Sequence, residues 1–223
     1  KQYINFADGT SGDARFMGGI NYDHNTNVLA LRCNGGDPFL LDANSKISLS
    51  NNDSGTGNTI FGKTAGDPDG AGDYNTFIGE LSGGSGTQTD DADYNVGVGY
   101  YALAALTQGT KNTAIGVGSL EDVTIGDNNT AIGFQALVDL GTAQSDDNVA
   151  IGYQAMGGAI GTEVVDDCVA IGSGALSGAL DSTNGADEAS GTVAIGKSAL
   201  ASLTEGAGNV AVGYGALKLI TTG

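Results

Sequence analysis

The chain has 223 residues, 39 of them glycine, with 26 acidic and 8 basic side chains and a formal net charge of −18. A field of that sign repels nucleic acid and anionic membrane surfaces, so neither is expected as a direct partner. No apolar run approaches the ~18 residues of a membrane-spanning helix, and the two cysteines, Cys33 and Cys168, stand too far apart in sequence to suggest a disulfide framework.

Residues 1–52 carry short strand candidates, "GGINYD", "VLALRC", "PFLLD" and "KISLS", separated by the turn-forming stretches "HNTN", "NGGD" and "ANS". This spacing predicts a small antiparallel β meander, too small to bury a core by itself. His24, the only histidine, falls in the first of those turns. Without a second nitrogen ligand it supplies neither a His-based metal site nor a Ser-His-Asp arrangement.

From residue 53 to 223 one phrase recurs nine times, from Asn58-Thr-Ile-Phe-Gly62 through Asn112-Thr-Ala-Ile-Gly116 to Asn209-Val-Ala-Val-Gly213. Its glycines, at 62, 79, 99, 116, 133, 152, 172, 196 and 213, set a base unit of 17 residues, lengthened in some units by polar, acidic insertions. Insertions of that kind belong in solvent-facing loops. The phrase is short, β-branched and alternating, which predicts a strand. A second apolar word, such as Ala136-Leu137 or Ala175-Leu176, follows and is read as a second extended stretch, with a single helical turn at "GSLEDV" or "QALVDL" as the alternative. One coil of this size buries too few apolar side chains to offset the entropy of ordering it, so coils must stack. The architecture expected is all-β: a parallel β-solenoid or β-roll of about nine coils, spaced about 4.8 Å apart, behind the meander.

Strand side chains alternate between faces. The second and fourth positions of the phrase are assigned to a stacked core, with Val149 and the isoleucines Ile115, Ile132, Ile151, Ile171 and Ile195, joined by Leu137, Leu176 and Leu200 of the second word. The third position is alanine in the last six units, Ala114, Ala131, Ala150, Ala170, Ala194 and Ala211. An unbroken alanine column suggests close approach of another backbone, and is assigned to a partner subunit; the competing reading is a cramped interior of the chain's own solenoid.

Chemistry is sparse. "GVGYYA" imitates a dinucleotide fingerprint, but it falls at a repeat position and opens no helix. Neither a Walker loop nor G-x-S-x-G is present. The acidic pairs Asp90-Asp91, Asp146-Asp147, Asp166-Asp167 and Asp187-Glu188 offer oxygen ligands for Ca²⁺, yet match no calcium-loop spacing. They are read as solubilising charge, and no cofactor is expected. Cys168 takes the place of a repeat asparagine and is read as a small stacked side chain. The residue after the repeat glycine varies most, which marks an outward position; Tyr100, Phe134, Tyr153 and Tyr214 there are candidate glycan contacts, with packing against the next coil as the plainer reading.

The tandem Asn-Thr-Ala-Ile-Gly-x-x-Ala-Leu phrase resembles the head repeats of trimeric autotransporter adhesins and, more closely, the long repeats of phage tail fibre and tail spike proteins; residues 18–50 look like the fibre strands that accompany them. The resemblance implies an intertwined homotrimer. It also implies a virion tail fibre that contacts other fibre proteins and a host-surface glycan or protein, a structural and not an enzymatic role. A bacterial cell-surface adhesin head and a β-solenoid polysaccharide-degrading enzyme are the two alternatives.

Overall fold

The computed structural model describes residues 2–6, 18–25, 28–33, 36–41, 47–49, 56–66, 72–84, 89, 91–140, 144–158, 164–180 and 189–223. The chain divides into two compact units, Lys1–Asn52 and Asp53–Gly223.

The first unit is a five-stranded antiparallel meander of β1 (Gln2–Phe6), β2 (Gly18–Asp23), β3 (Val28–Cys33), β4 (Gly36–Leu41) and β5 (Ile47–Leu49), paired in chain order. Strand β1 adds one member to the expected set. The β3/β4 ladder slips between Leu31 and Cys33, opposite the stretch of β4 that holds Pro38. Proline has no N–H to give to a ladder, and a bulge is one of the few places a sheet accommodates it. His24 lies exposed in the β2–β3 turn, edge-on to Tyr22 with ring centroids 4.6 Å apart.

The second unit is a parallel β-solenoid with no helix among its described residues. Each phrase contributes one three-residue strand: β6 (Thr59–Phe61), β7 (Thr76–Ile78), β8 (Val96–Val98), β9 (Thr113–Ile115), β10 (Thr130–Ile132), β11 (Val149–Ile151), β12 (Val169–Ile171), β13 (Val193–Ile195) and β14 (Val210–Val212). They form one sheet in sequence order and strict register, Thr113 beside Thr130, Ala114 beside Ala131 and Ile115 beside Ile132.

The alternation holds, but its inside and outside are the reverse of the assignment made from sequence. Ala114, Ala131, Ala150, Ala170 and Ala194 are completely buried within a single chain, and Ala211 nearly so. They are therefore core residues and not a subunit interface. Conversely, Ile115, Ile132 and Ile171 are 41%, 37% and 36% exposed, while Val149, Ile151 and Ile195 are half-buried; none of the six stacks in the core. The physical reason is the narrowness of the coil. Alanine leaves room for the larger Leu103, Leu120, Leu137, Met156, Leu176 and Leu200, all fully buried in the same cluster.

Those larger residues come from the second apolar word, which is a turn and not a second strand. Leu120, Leu137, Leu176 and Leu200 have φ between 48° and 51°. A left-handed conformation costs a non-glycine residue roughly 1–2 kcal/mol, and full burial of a leucine, at about 1.5–3 kcal/mol, offsets it. A third buried column, Leu106, Val123, Leu140, Leu180 and Leu203, completes the interior.

Each strand ends on a glycine with φ from 126° to 149°, a region open essentially to glycine alone. A Cβ on Gly116 would also lie against the carbonyl of Gly133 in the next coil. In every repeat but the last, the glycine is thus required twice over.

Candidate functional site

The repeat asparagine is a structural device. Oδ1 of Asn58 accepts the N–H of Asn75, and the same bond recurs from Asn75 to Asn95, to Asn112, to Asn129, to Asn148 and to Cys168, at 2.7–3.0 Å. The amide nitrogens reach the same following coil: Nδ2 of Asn112 donates to the carbonyl of Gly126 at 2.7 Å and that of Asn129 to Ser145 at 2.8 Å. These buried amides are satisfied by coil-to-coil bonds, so they offer nothing to a ligand.

Cys168 sits in this ladder as a small stacked side chain. Its Sγ donates to the carbonyl of Ala189 at 3.1 Å, and burial, ahead of any other influence, pushes the thiol up to about 11. A thiol so protonated and buried is a poor nucleophile.

Acidic residues before the strands also bridge coils. Asp146 accepts the N–H of Asp127 at 2.7 Å, and Asp166 accepts that of Asp146 at 2.8 Å. Among the described residues, no group of three or more His, Cys, Asp or Glu side chains is placed to hold a metal ion. Asp90, Asp187 and Glu188 lie outside the described residues.

The surface feature with chemical character lies at the corner after the strand. Because each coil repeats the last, residues following the repeat glycine form a column of rungs. Lys63 and Glu80 pair across adjacent rungs at 3.2 Å. Phe134 and Tyr153 stack, with centroids 5.4 Å apart and planes 9° from parallel. Gln154, beside them, donates to Gln135 at 3.0 Å. Between Tyr100 and Phe134 the rung is Val117, and the short side chain leaves a groove of about 390 Å³ lined by Tyr100, Tyr101, Val117, Gly118, Glu121, Phe134 and Gln135.

Tyr100 and Tyr101 meet edge to face at 4.4 Å. Desolvation first, then Tyr101 and the carboxylates of Glu80 and Glu121, hold the Tyr100 phenol above its ordinary range. Burial, then Asp122, raises the Glu121 carboxyl. Its Oε2 lies over Gly118, where an added Cβ would meet it at 2.8 Å.

Of the four aromatic residues singled out from sequence, Tyr100 and Phe134 share this groove, Tyr153 stacks on its far wall, and Tyr214 stands apart in the last coil, 84% exposed. Sequence reasoning missed Tyr101 and Glu121, which lie outside the repeated phrase positions. It also missed Tyr74 and Tyr94, which stack at 5.2 Å on another corner. Their signal was available: both immediately precede the asparagine that opens a repeat. Comparison of the chain with protein-family models, with curated proteins and with solved structures finds no match.

Proposed function

We propose that the chain is a structural segment of a virion tail fibre, a homotrimeric shaft that presents an attachment surface to the host and catalyses no reaction. The observation that carries this reading is the outward face of β6–β14. It displays in-register columns of Thr or Val and of Ile or Val, the latter headed by Phe61, with Phe61, Ile78, Ile115, Ile132 and Ile171 each more than a third exposed. Nine strands at about 4.8 Å make this a strip roughly 40 Å long, and long apolar strips on soluble proteins mark interaction surfaces. The interface between copies accordingly moves from the alanine column to the strand's other face. Its natural cover is a second and third copy, since a repeating apolar strip is matched by another of the same period. Three copies acting together would give weak contacts to a host glycan or protein the gain of multivalency.

Light scattering on the purified chain tests this. The expected mass is three times the chain's 22.1 kDa, persisting in SDS until the sample is heated. The double substitution Ile132→Lys with Ile171→Lys is expected to yield monomers with unchanged β circular dichroism. A monomeric parent chain would overturn the shaft; a variant that stays trimeric would overturn the face assignment. A bacterial surface adhesin would use the same face, and detection of the chain in purified virions or in cell envelopes separates the two.

A further inference from the structure

The groove at Val117 has the form of an aromatic ladder with one rung left out. We propose that this gap binds a methylated organic cation, a quaternary ammonium group that takes the place of the missing ring. The biological meaning of the site rests on the attachment reading, whereas the binding itself does not.

Geometry comes first. Phe134 lies nearly parallel to Tyr153 on the next rung, so one face is stacked and the opposite face looks toward the rung of Val117. Tyr100 closes the gap from the other side, with Tyr101 set across it at 61°. Tyr100 and Phe134 are two coils apart. A group centred on the Val117 rung therefore sits about one coil spacing, ~4.8 Å, from each, inside the ~6 Å range over which a cation is held by a ring face. The groove volume of about 390 Å³ falls within the range of small-ligand sites.

Charge selects among ligands that would fit. Glu121 places its carboxylate at the floor, over Gly118, and has no ion-pair partner among the described residues. Glu80, on the rung before Tyr100, is already paired with Lys63. The chain's net charge of −18 adds a field that repels anions and draws cations. Hydrogen-bonding capacity points the same way. The lining offers π faces and a carboxylate, while the oxygen of Gln135 is engaged by Gln154 and the phenols of Tyr100 and Tyr101 are hydrogen-bonded to each other. A quaternary ammonium asks for no hydrogen bond and gains from both π faces and carboxylate.

The test is a calorimetric titration of the whole chain with choline. Tetramethylammonium, the uncharged isostere 3,3-dimethylbutan-1-ol and glucose serve as comparators. Choline and tetramethylammonium are expected to bind, with the isostere weaker by about tenfold, between the scales of an exposed and a desolvated cation–π contact. Val117→Phe supplies the missing rung with the residue type that Phe134 already carries, so it should abolish binding while circular dichroism and solution mass stay unchanged. Glu121→Gln should weaken binding several-fold. Equal binding of the isostere, preference for glucose, no heat with any cation at millimolar concentration, or undiminished binding by Val117→Phe would each overturn the proposal. None of these outcomes depends on the solution mass, which tests the shaft independently.

Discussion

Oδ1 of Asn112 accepts the backbone N–H of Asn129, seventeen residues later, at 2.9 Å, and Oδ1 of Asn129 does the same for Asn148 at 3.0 Å. Through its backbone N–H on one side and its side chain on the other, Asn129 thereby ties together three coils. Strands of only three residues make few ladder bonds of their own; backbone bonds through the turns, such as Gln135 N–H to the carbonyl of Val117 and Leu120 N–H to that of Ala136, add to them, and these amides supply the buried side-chain share.

Asn129→Leu is therefore expected to be severe for a polar-to-apolar change. It leaves the N–H of Asn148 and the carbonyl of Ser145 without their partners, and each buried unsatisfied group costs about 1–3 kcal/mol. A loss of roughly 2–5 kcal/mol in chemical denaturation is the predicted result. A loss under about 0.5 kcal/mol would show that the ladder is ornamental.

The ladder has a fault that can be repaired. Thr192 occupies the asparagine position of its repeat, is fully buried, and its Oγ1 has no hydrogen-bond partner. Thr192→Asn should restore a bond to the coil of Asn209 and raise stability by about 1 kcal/mol, the usual net worth of a protein hydrogen bond. Thermal unfolding of the variant measures it; a lower melting temperature would mean the pocket is too small for the amide.

Most of this architecture was legible in the sequence: the unit length, the strand, the asparagine and glycine punctuation and the stacking. The orientation of the strand was not. Alternation separates Thr113 and Ile115 from Ala114 but does not say which set is inside, and the habit of placing large apolar residues in the core chose wrongly. The deciding quantity is the width of the coil, set by Leu120 and Leu137 folding back in a left-handed turn. That conformation leaves no mark in a single sequence. The groove was half legible, because Tyr100 and Phe134 share a repeat position, whereas Tyr101 and Glu121 reach it only through the course of the corner.

Two glycines separate conformation from crowding. Gly116 and Gly213 both have strongly positive φ, 140° and 126°, but a Cβ on Gly116 meets the backbone of the next coil, while one on Gly213 meets nothing within 4 Å. Alanine at 213 should cost only the conformational part, about 1–3 kcal/mol. Alanine at 116 should cost visibly more. Equal costs in paired denaturation curves would show that coil spacing relaxes to admit a methyl group.

Acid should stabilise the solenoid before it harms it. Glu121, Asp122 and Asp146 are held above the ordinary carboxylate range, by burial first and by neighbouring carboxylates after; for Asp146 the N–H of Asp127 pulls the other way. A carboxyl whose pKa is raised in the folded state favours folding fully below its unfolded value, near pH 4, and that contribution is lost as pH rises through the folded value. The melting temperature is thus expected to rise as pH falls from about 7 to about 4.5. Asp146→Asn, which keeps an oxygen for the N–H of Asp127, should flatten the curve. A melting temperature that falls steadily with acidification would contradict this.

Strict register has a consequence for how such a chain can change. Units of 17 residues pair strand for strand with units of 20 and 24, as Thr76 does with Val96 and Val169 with Val193. The longer units therefore keep the same strand register as the short ones, and no later strand is displaced by the added residues. The solenoid behaves as a graduated scale. A side chain introduced at a chosen repeat position is displayed at a known height, in steps of about 4.8 Å, so contacts can be added, removed or respaced one graduation at a time.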